Sequence, residues 1–225
     1  MSQDAFIEAY FGELTETFIT LGLDAERSIH AVWSGTKAML KNDGSVSNAD
    51  RFWHEFSSFY GGLEGRLADI EEATDRFYIN EFNRVQEVIT PTDIPVKLIS
   101  TLRSKGYTVV LATNPLFPPQ AVDSRLGWIG LTLADFDLHT DYQNARFCKP
   151  NLDYYRDIFT ALKVEPEQCL MVGNTVLEDM CAAELGCGTY LVTDYLENPE
   201  NSDYSMYNQG TLAEFAVWAE QLPQL

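Results

Sequence analysis

The chain has 225 residues, 45% of them hydrophobic and 12% aromatic, which is enough to bury a full core in one domain and still carry a sizeable insert. Its 34 acidic against 15 basic residues give a formal net charge of −19, a balance that repels a phosphate backbone and excludes nucleic acid as a partner. No apolar run reaches the ~20 residues of a membrane span and no basic-then-apolar leader opens the chain, so a cytoplasmic protein with no membrane partner is expected.

From residue 4 to about residue 88 the apolar spacing is helical throughout. Phe6, Tyr10, Leu14, Phe18 and Leu21 fall on one stripe, and further stripes run through 29–40, 52–60 and 70–82. Gly22, the run Lys41-Asn42-Asp43-Gly44-Ser45 and the pair Gly61-Gly62 separate them as turn and stop signals. Residues 1–90 therefore read as a four-helix unit. Its aromatics, including Trp33, Phe52, Trp53, Phe56, Phe59 and Tyr60, stand at helical spacing and read as helix-to-helix packing rather than as a substrate pocket.

After Thr90-Pro91-Thr92-Asp93 the pattern alternates, and residues 91–225 read as an α/β domain. Helices are predicted over 94–104, 119–126, 152–162 and 177–185, and strands over 107–112, 136–139, 169–172 and 189–192. The strands lack polar/apolar alternation, which argues a parallel sheet covered on both faces. Residues 194–207 (DYLENPENSDYSMY) read as a surface loop, and 212–222 as a final amphipathic helix that docks on the sheet. Cys148, Cys169, Cys181 and Cys187 form no CxxC pair and have no His at ligand spacing, the pattern of reduced thiols in or near a core.

Ligands of open parallel sheets gather at the carboxyl ends of the strands. Thr113-Asn114-Pro115 follows the first predicted strand, Cys148-Lys149-Pro150 comes after the loop that leaves the second, and Gly173-Asn174 with Glu178-Asp179 follows the third. A hydroxyl, an ammonium and an acidic loop suit a phosphoryl group with Mg²⁺. Thr113 and the backbone N–H groups after it donate to phosphate oxygens, Lys149 neutralises developing charge, and Asp179 with its neighbours holds a hard cation. Taken singly, each has an ordinary structural reading as a turn cap, a solvated lysine or a partner of a helix dipole.

Taken in order, VVLATNP, CKPNLDYY and MVGNTVLEDMCAAELGCGTYLV resemble the second, third and fourth motifs of the haloacid dehalogenase superfamily of phosphohydrolases. Within it the chain is similar to a bacterial group with Gly-Asn at the fourth motif, and residues 4–88 resemble the helical cap inserted after the first motif. The resemblance implies a Rossmann-type parallel-sheet core with an N-terminal helical cap, and Mg²⁺-dependent hydrolysis of a small phosphorylated metabolite. It makes Thr113 the phosphate-binding hydroxyl, with Asn114 beside it, and Lys149 the lysine that bridges the nucleophilic carboxylate and the phosphate. It makes Asp179 the acidic residue of the metal loop, Asn174 the occupant of the first metal-loop position, and Glu178 an additional carboxylate.

Members of that superfamily open with an apolar strand followed by Asp-x-Asp, which supplies the nucleophile and the general acid/base. Here Met1-Ser2-Gln3-Asp4 leads straight into the first helix, so the first core strand is absent from this sequence and the nucleophile is expected upstream of Met1. The sequence's own Asp-x-Asp, Asp135-Phe136-Asp137, has no apolar strand before it and His139 where a hydroxyl residue is required, and it reads as a decoy. Without an aspartate nucleophile no aspartyl-phosphate forms, which leaves a second expectation: an inactive relative that binds a phosphorylated ligand or partner. Haloacid dehalogenation needs no Mg²⁺ and is disfavoured by the acidic loop at Glu178-Asp179.

Overall fold

Asp24 and Ser47 show why the first half of the chain breaks where it does. Each sits in extended backbone and accepts a hydrogen bond, from the N–H of Arg27 and of Asp50, so that α2 (Ala25–Leu40) and α3 (Asn48–Tyr60) start on side-chain caps. A computed structural model describes residues 3–225. α1 (Gln3–Thr20) precedes these helices and α4 (Leu67–Ile79) follows them. The stripe expected to run through 70–82 breaks at Asn80, after which Glu81–Val88 continues as a 3-10 segment.

The chain divides into two compact units: residues up to Val96 with Val109–Cys148, and Lys97–Thr108 with Lys149–Leu225. In the first, Phe6, Tyr10, Leu14 and Phe18 of α1 are buried with Phe56, Ile70, Phe77 and Phe82, and Ala121 joins the same core. Ring pairs such as Tyr10–Phe82 and Tyr78–Phe82 meet edge-on at 5.8 and 5.3 Å between centroids, the arrangement that aromatic quadrupoles favour. The hydroxyls of Tyr10 and Tyr78, 2.7 Å apart, satisfy each other inside it. This unit also carries β1 (Val110–Leu111), α6 (Pro119–Gly127) and β2 (Leu138–His139), with β1 and β2 paired in parallel.

The second unit holds a parallel sheet in the order β3 (Leu170–Gly173), β4 (Gly188–Val192), β5 (Asn208–Gly210). Successive residues of β4 point to opposite faces. Tyr190 packs with Leu98 of α5 (Ile94–Ser104) and with Phe215 and Ala219 of α8 (Leu212–Glu220), whereas Leu191 packs with Val176 and Met180. α7 (Leu152–Leu162) starts on the Asn151 side chain and buries Tyr154, Tyr155, Ile158 and Phe159.

The structure differs from the sequence reading at several points. Two short parallel sheets stand where one was expected, and among the described residues no strand pairs with both. The predicted strand over 107–112 shrinks to Val110–Leu111, and the helix over 177–185 becomes a 3-10 segment, Met180–Leu185, stopped by Gly186 at φ 93°. β5 was not expected at all, because Asn208-Gln209-Gly210 has no strand propensity and forms by pairing with β4. No helix among the described residues is long and apolar enough to cross a membrane, and the four cysteines are free thiols.

Candidate phosphate site

In the second unit the site is built on the turn that leaves β3. Gly173 ends the strand, and a Cβ there would overlap the Asp179 carboxylate, so the glycine is required by close approach rather than by its backbone angles. Asp179 is folded back onto the turn: its N–H donates to Thr175 O at 2.9 Å, and its Oδ2 accepts from Thr175 N–H at 3.0 Å. Its Oδ1 accepts from Lys149 Nζ at 2.6 Å. The two side chains are 8% and 4% exposed, so this ion pair is screened from water. Lys149 comes from the segment before α7, where its ammonium also lies 5.7 and 5.9 Å from the ring centroids of Tyr154 and Tyr155.

Two further groups fix the loop. The Tyr155 hydroxyl donates to Glu178 O at 2.7 Å, and burial raises the Tyr155 pKa far above its ordinary value, so it stays a donor. Cys181 Sγ donates to the same carbonyl and to Pro150 O, and burial pushes its thiol up to about 11, which keeps it unreactive. The chain after β4 then returns to the loop: Glu197 N–H donates to Asn174 O at 2.8 Å, Val176 N–H donates to Glu197 O at 2.9 Å, and Asn174 Nδ2 donates to Tyr195 O at 2.7 Å. Burial raises the Glu197 pKa, the nearby Asp179 charge raises it further, and a hydrogen bond with the Thr175 side chain opposes both.

The other sequence-predicted residues belong to the first unit. Thr113 and Asn114 follow β1, and Thr113 Oγ1 donates to Thr140 O at 3.0 Å while Thr140 Oγ1 donates to Thr113 O at 2.9 Å, a reciprocal latch between the loops that leave β1 and β2. Asn48, fully buried at the start of α3, donates from Nδ2 to Pro115 O at 3.3 Å and so ties the helical segment to the Thr113 loop. Asp135 and Asp137 have structural work: Asp135 Oδ2 accepts from Thr132 N–H and Oγ1 to close a capping box, and Asp137 Oδ2 accepts from Val109 N–H at 2.8 Å.

Among the predicted residues, then, Lys149 and Asp179 are in direct contact, Asn174 and Glu178 stand on the same loop, and Thr113 and Asn114 lie at the carboxyl end of a different sheet. Tyr155 and Glu197 were not singled out by sequence. Tyr155 carries a weak signal as part of CKPNLDYY, and Glu197 carries none, lying in a stretch with loop composition.

The loop also answers whether its own oxygens complete a Mg²⁺ site. Both Asp179 oxygens are engaged, Asn174 offers a neutral amide oxygen, and among the described residues no three His, Cys, Asp or Glu side chains come together around a possible metal position. The donors present do not fit a complete Mg²⁺ shell, which prefers carboxylates with near-octahedral geometry.

The model of the haloacid dehalogenase-like hydrolase family matches residues 5–186. Among solved structures, a HAD phosphatase from Thermococcus onnurineus is 18% identical, with a TM-score of 0.58 over 99% of this chain and 93% of that one. CbbY from Rhodobacter sphaeroides, in complex with phosphate, is 17% identical, with a TM-score of 0.57 over 96% and 92%. L-2-haloacid dehalogenase from Xanthobacter autotrophicus is 15% identical, with a TM-score of 0.53 over 97% and 91%. At these identities the likeness is one of α/β fold. No curated protein matches the chain.

Proposed function

The chain belongs to the haloacid dehalogenase-like hydrolase family, and from that premise we propose that it is a phosphomonoesterase for a small phosphorylated metabolite. The observation that carries the reading is Lys149, a lysine only 4% exposed and held 2.6 Å from Asp179 beside the carboxyl end of β3. An ammonium so placed stabilises charge on a phosphoryl group far more than it would in water, and it needs no reorganisation to do so. In this reading Asp179 positions Lys149, which holds the phosphate, and Thr113 and Asn114 have the phosphate-binding roles that the resemblance of their motif implies. Residues 1–90 serve as the cap and 91–225 as the core. The nucleophile is an aspartate of a first motif that residues 1–225 do not contain. Mg²⁺ is the proposed metal, with Asp179, Asn174 and Glu178 as the oxygen donors that the resemblance implies, and its coordination needs a carboxylate beyond those the described residues bring together.

One observation favours a second reading, a protein that binds a phosphorylated ligand without hydrolysing it: Asp179 already accepts from Lys149 and Thr175, and Asn174 is uncharged. Hydrolysis of p-nitrophenyl phosphate with and without Mg²⁺ separates the two, assayed on the 225-residue chain and on the same chain extended at its start by an apolar strand ending in Asp-x-Asp. Mg²⁺-dependent turnover that disappears in Lys149→Met establishes the esterase. Lys149-dependent phosphate binding with no turnover by either form establishes the binding protein. Absence of phosphate binding in both forms removes both readings.

A further inference from the structure

Asn48 starts α3 with its side chain fully buried and both ends of its amide engaged. Its Oδ1 accepts from Asn42 Nδ2 at 2.9 Å. Its Nδ2 faces three acceptors: Pro115 O at 3.3 Å, Cys148 Sγ at 3.3 Å and Phe147 O at 3.5 Å. An amide nitrogen carries two hydrogens, so three contacts of that length describe a donor shared between two chain segments rather than a bond to one of them. All of these residues belong to the first unit.

The direction of the amide is set from both sides. Arg51 can only donate, and its Nε reaches Asn42 Oδ1 at 3.3 Å. Asn42 Nδ2 is thereby turned to Val46 O at 3.0 Å and to Asn48 Oδ1, which leaves the donors of Asn48 aimed at the loops. The carbonyls of Pro115 and Phe147 accept and cannot donate, so they require the same orientation. The packing beside this relay is apolar: Cys148 clusters with Met39 and Tyr142, and Leu116 and Phe52 pack against them. A buried amide in such surroundings costs free energy unless it is bonded, whereas a hydrocarbon of similar volume fills the space without that cost. What the amide adds is a fixed separation between Pro115 and the peptide at 147–148.

The loop that leaves β1 is therefore held at two points. Thr113 is latched to Thr140 through their hydroxyls, and two residues later Pro115 O is held by Asn48, with Asn114 between the two ties. We propose that Asn48 is a positioning residue for phosphate binding, by which the helical half of the chain keeps the loop at 113–115 in its binding conformation before a ligand arrives. The proposal rests on the proposed phosphate-binding roles of Thr113 and Asn114.

Titration calorimetry with inorganic phosphate on the 225-residue chain tests it through a double-mutant cycle. Asn48→Leu keeps the volume and loses the donors, and phosphate binds on the order of five- to tenfold more weakly. In a chain that already carries Thr113→Val the same substitution has a smaller effect, under about twofold, because it acts through the loop whose hydroxyl is gone. Asn48→Ser, which keeps one donor on a shorter arm, falls between the asparagine and the leucine. Unchanged phosphate affinity in folded Asn48→Leu, or the same fold-loss with and without the Thr113 hydroxyl, overturns the inference and leaves Asn48 a packing residue. Should Asn48→Leu fail to fold, unchanged affinity in Asn48→Ser overturns it equally well. Failure of the phosphate reading has a different signature: the unsubstituted chain does not bind phosphate, or Lys149→Met leaves its binding unchanged, and the inference then falls with that reading.

Discussion

Each unit of the molecule buries a polar pair, and the two pairs are opposites. In the first, the Tyr10 and Tyr78 hydroxyls meet inside an aromatic core, neutral, with burial raising both pKa values beyond reach of ordinary pH. In the second, Lys149 and Asp179 meet as full charges beside a thin sheet whose apolar clusters lie on its two faces. A neutral pair accommodates packing that exists for its own sake. Burying a charged pair is weak evidence of stabilisation, because desolvation opposes the attraction, and so a site whose chemistry needs an ammonium is where such a pair belongs.

The strongest way to break the contrast is to remove one charge. Lys149→Met strands Asp179 and should cost about 3–5 kcal/mol in denaturant unfolding, while Lys149→Met with Asp179→Leu regains most of that and still fails to bind phosphate. On the aromatic side, Phe82→Ala empties a fully buried position that meets the rings of Phe6, Tyr10, Phe77, Tyr78 and Trp128, and a loss of about 3–5 kcal/mol is expected by the same measurement. Gly173→Ala drives a methyl into the Asp179 carboxylate and should cost about 1–3 kcal/mol with a parallel loss of phosphate affinity; unchanged affinity would show that the pair does not shape the site. Tyr10→Phe removes one hydroxyl of the neutral pair, and about 1 kcal/mol is the expected loss, with ligand binding unaffected.

The smallest effect sharpens the comparison through pH. The folded pKa of Glu197 lies above its ordinary 4.5, so the native state holds this proton more tightly than the unfolded chain does. The stabilisation is complete below 4.5 and is lost as pH rises through the folded value. Glu197→Gln, which mimics the protonated form, should flatten that part of the stability profile and exceed the unsubstituted chain above it, as thermal melts across the window would record. Parallel profiles for the two proteins would mean that Glu197 titrates as it does in water.

Where packing follows periodicity, the sequence is transparent. The helix read at 152–162 is observed as Leu152–Leu162, and the helical first half is read from the stripe of Phe6, Tyr10, Leu14 and Phe18. Where a tertiary partner decides, it is opaque. Asn208-Gln209-Gly210 becomes a strand because β4 offers it a free edge, and 177–185 is not an α-helix because Asp179 is spent on Thr175 and Lys149. The strand-end rule finds Thr113, Lys149, Asn174 and Asp179 as chemically equipped residues, but it cannot show that Asp179 turns toward an ammonium. Nor can it find Glu197, in a stretch with the composition of a loop.

The contact between Gly173 and Asp179 also has a bearing on how this chain can change by descent. Any residue larger than glycine at 173 evicts the carboxylate, and any shortening of Asp179 that made room would leave Lys149 without its counter-charge. Both single steps run downhill, so the two positions form one hereditary unit, and a lineage that remodels this turn must alter them together or keep them both.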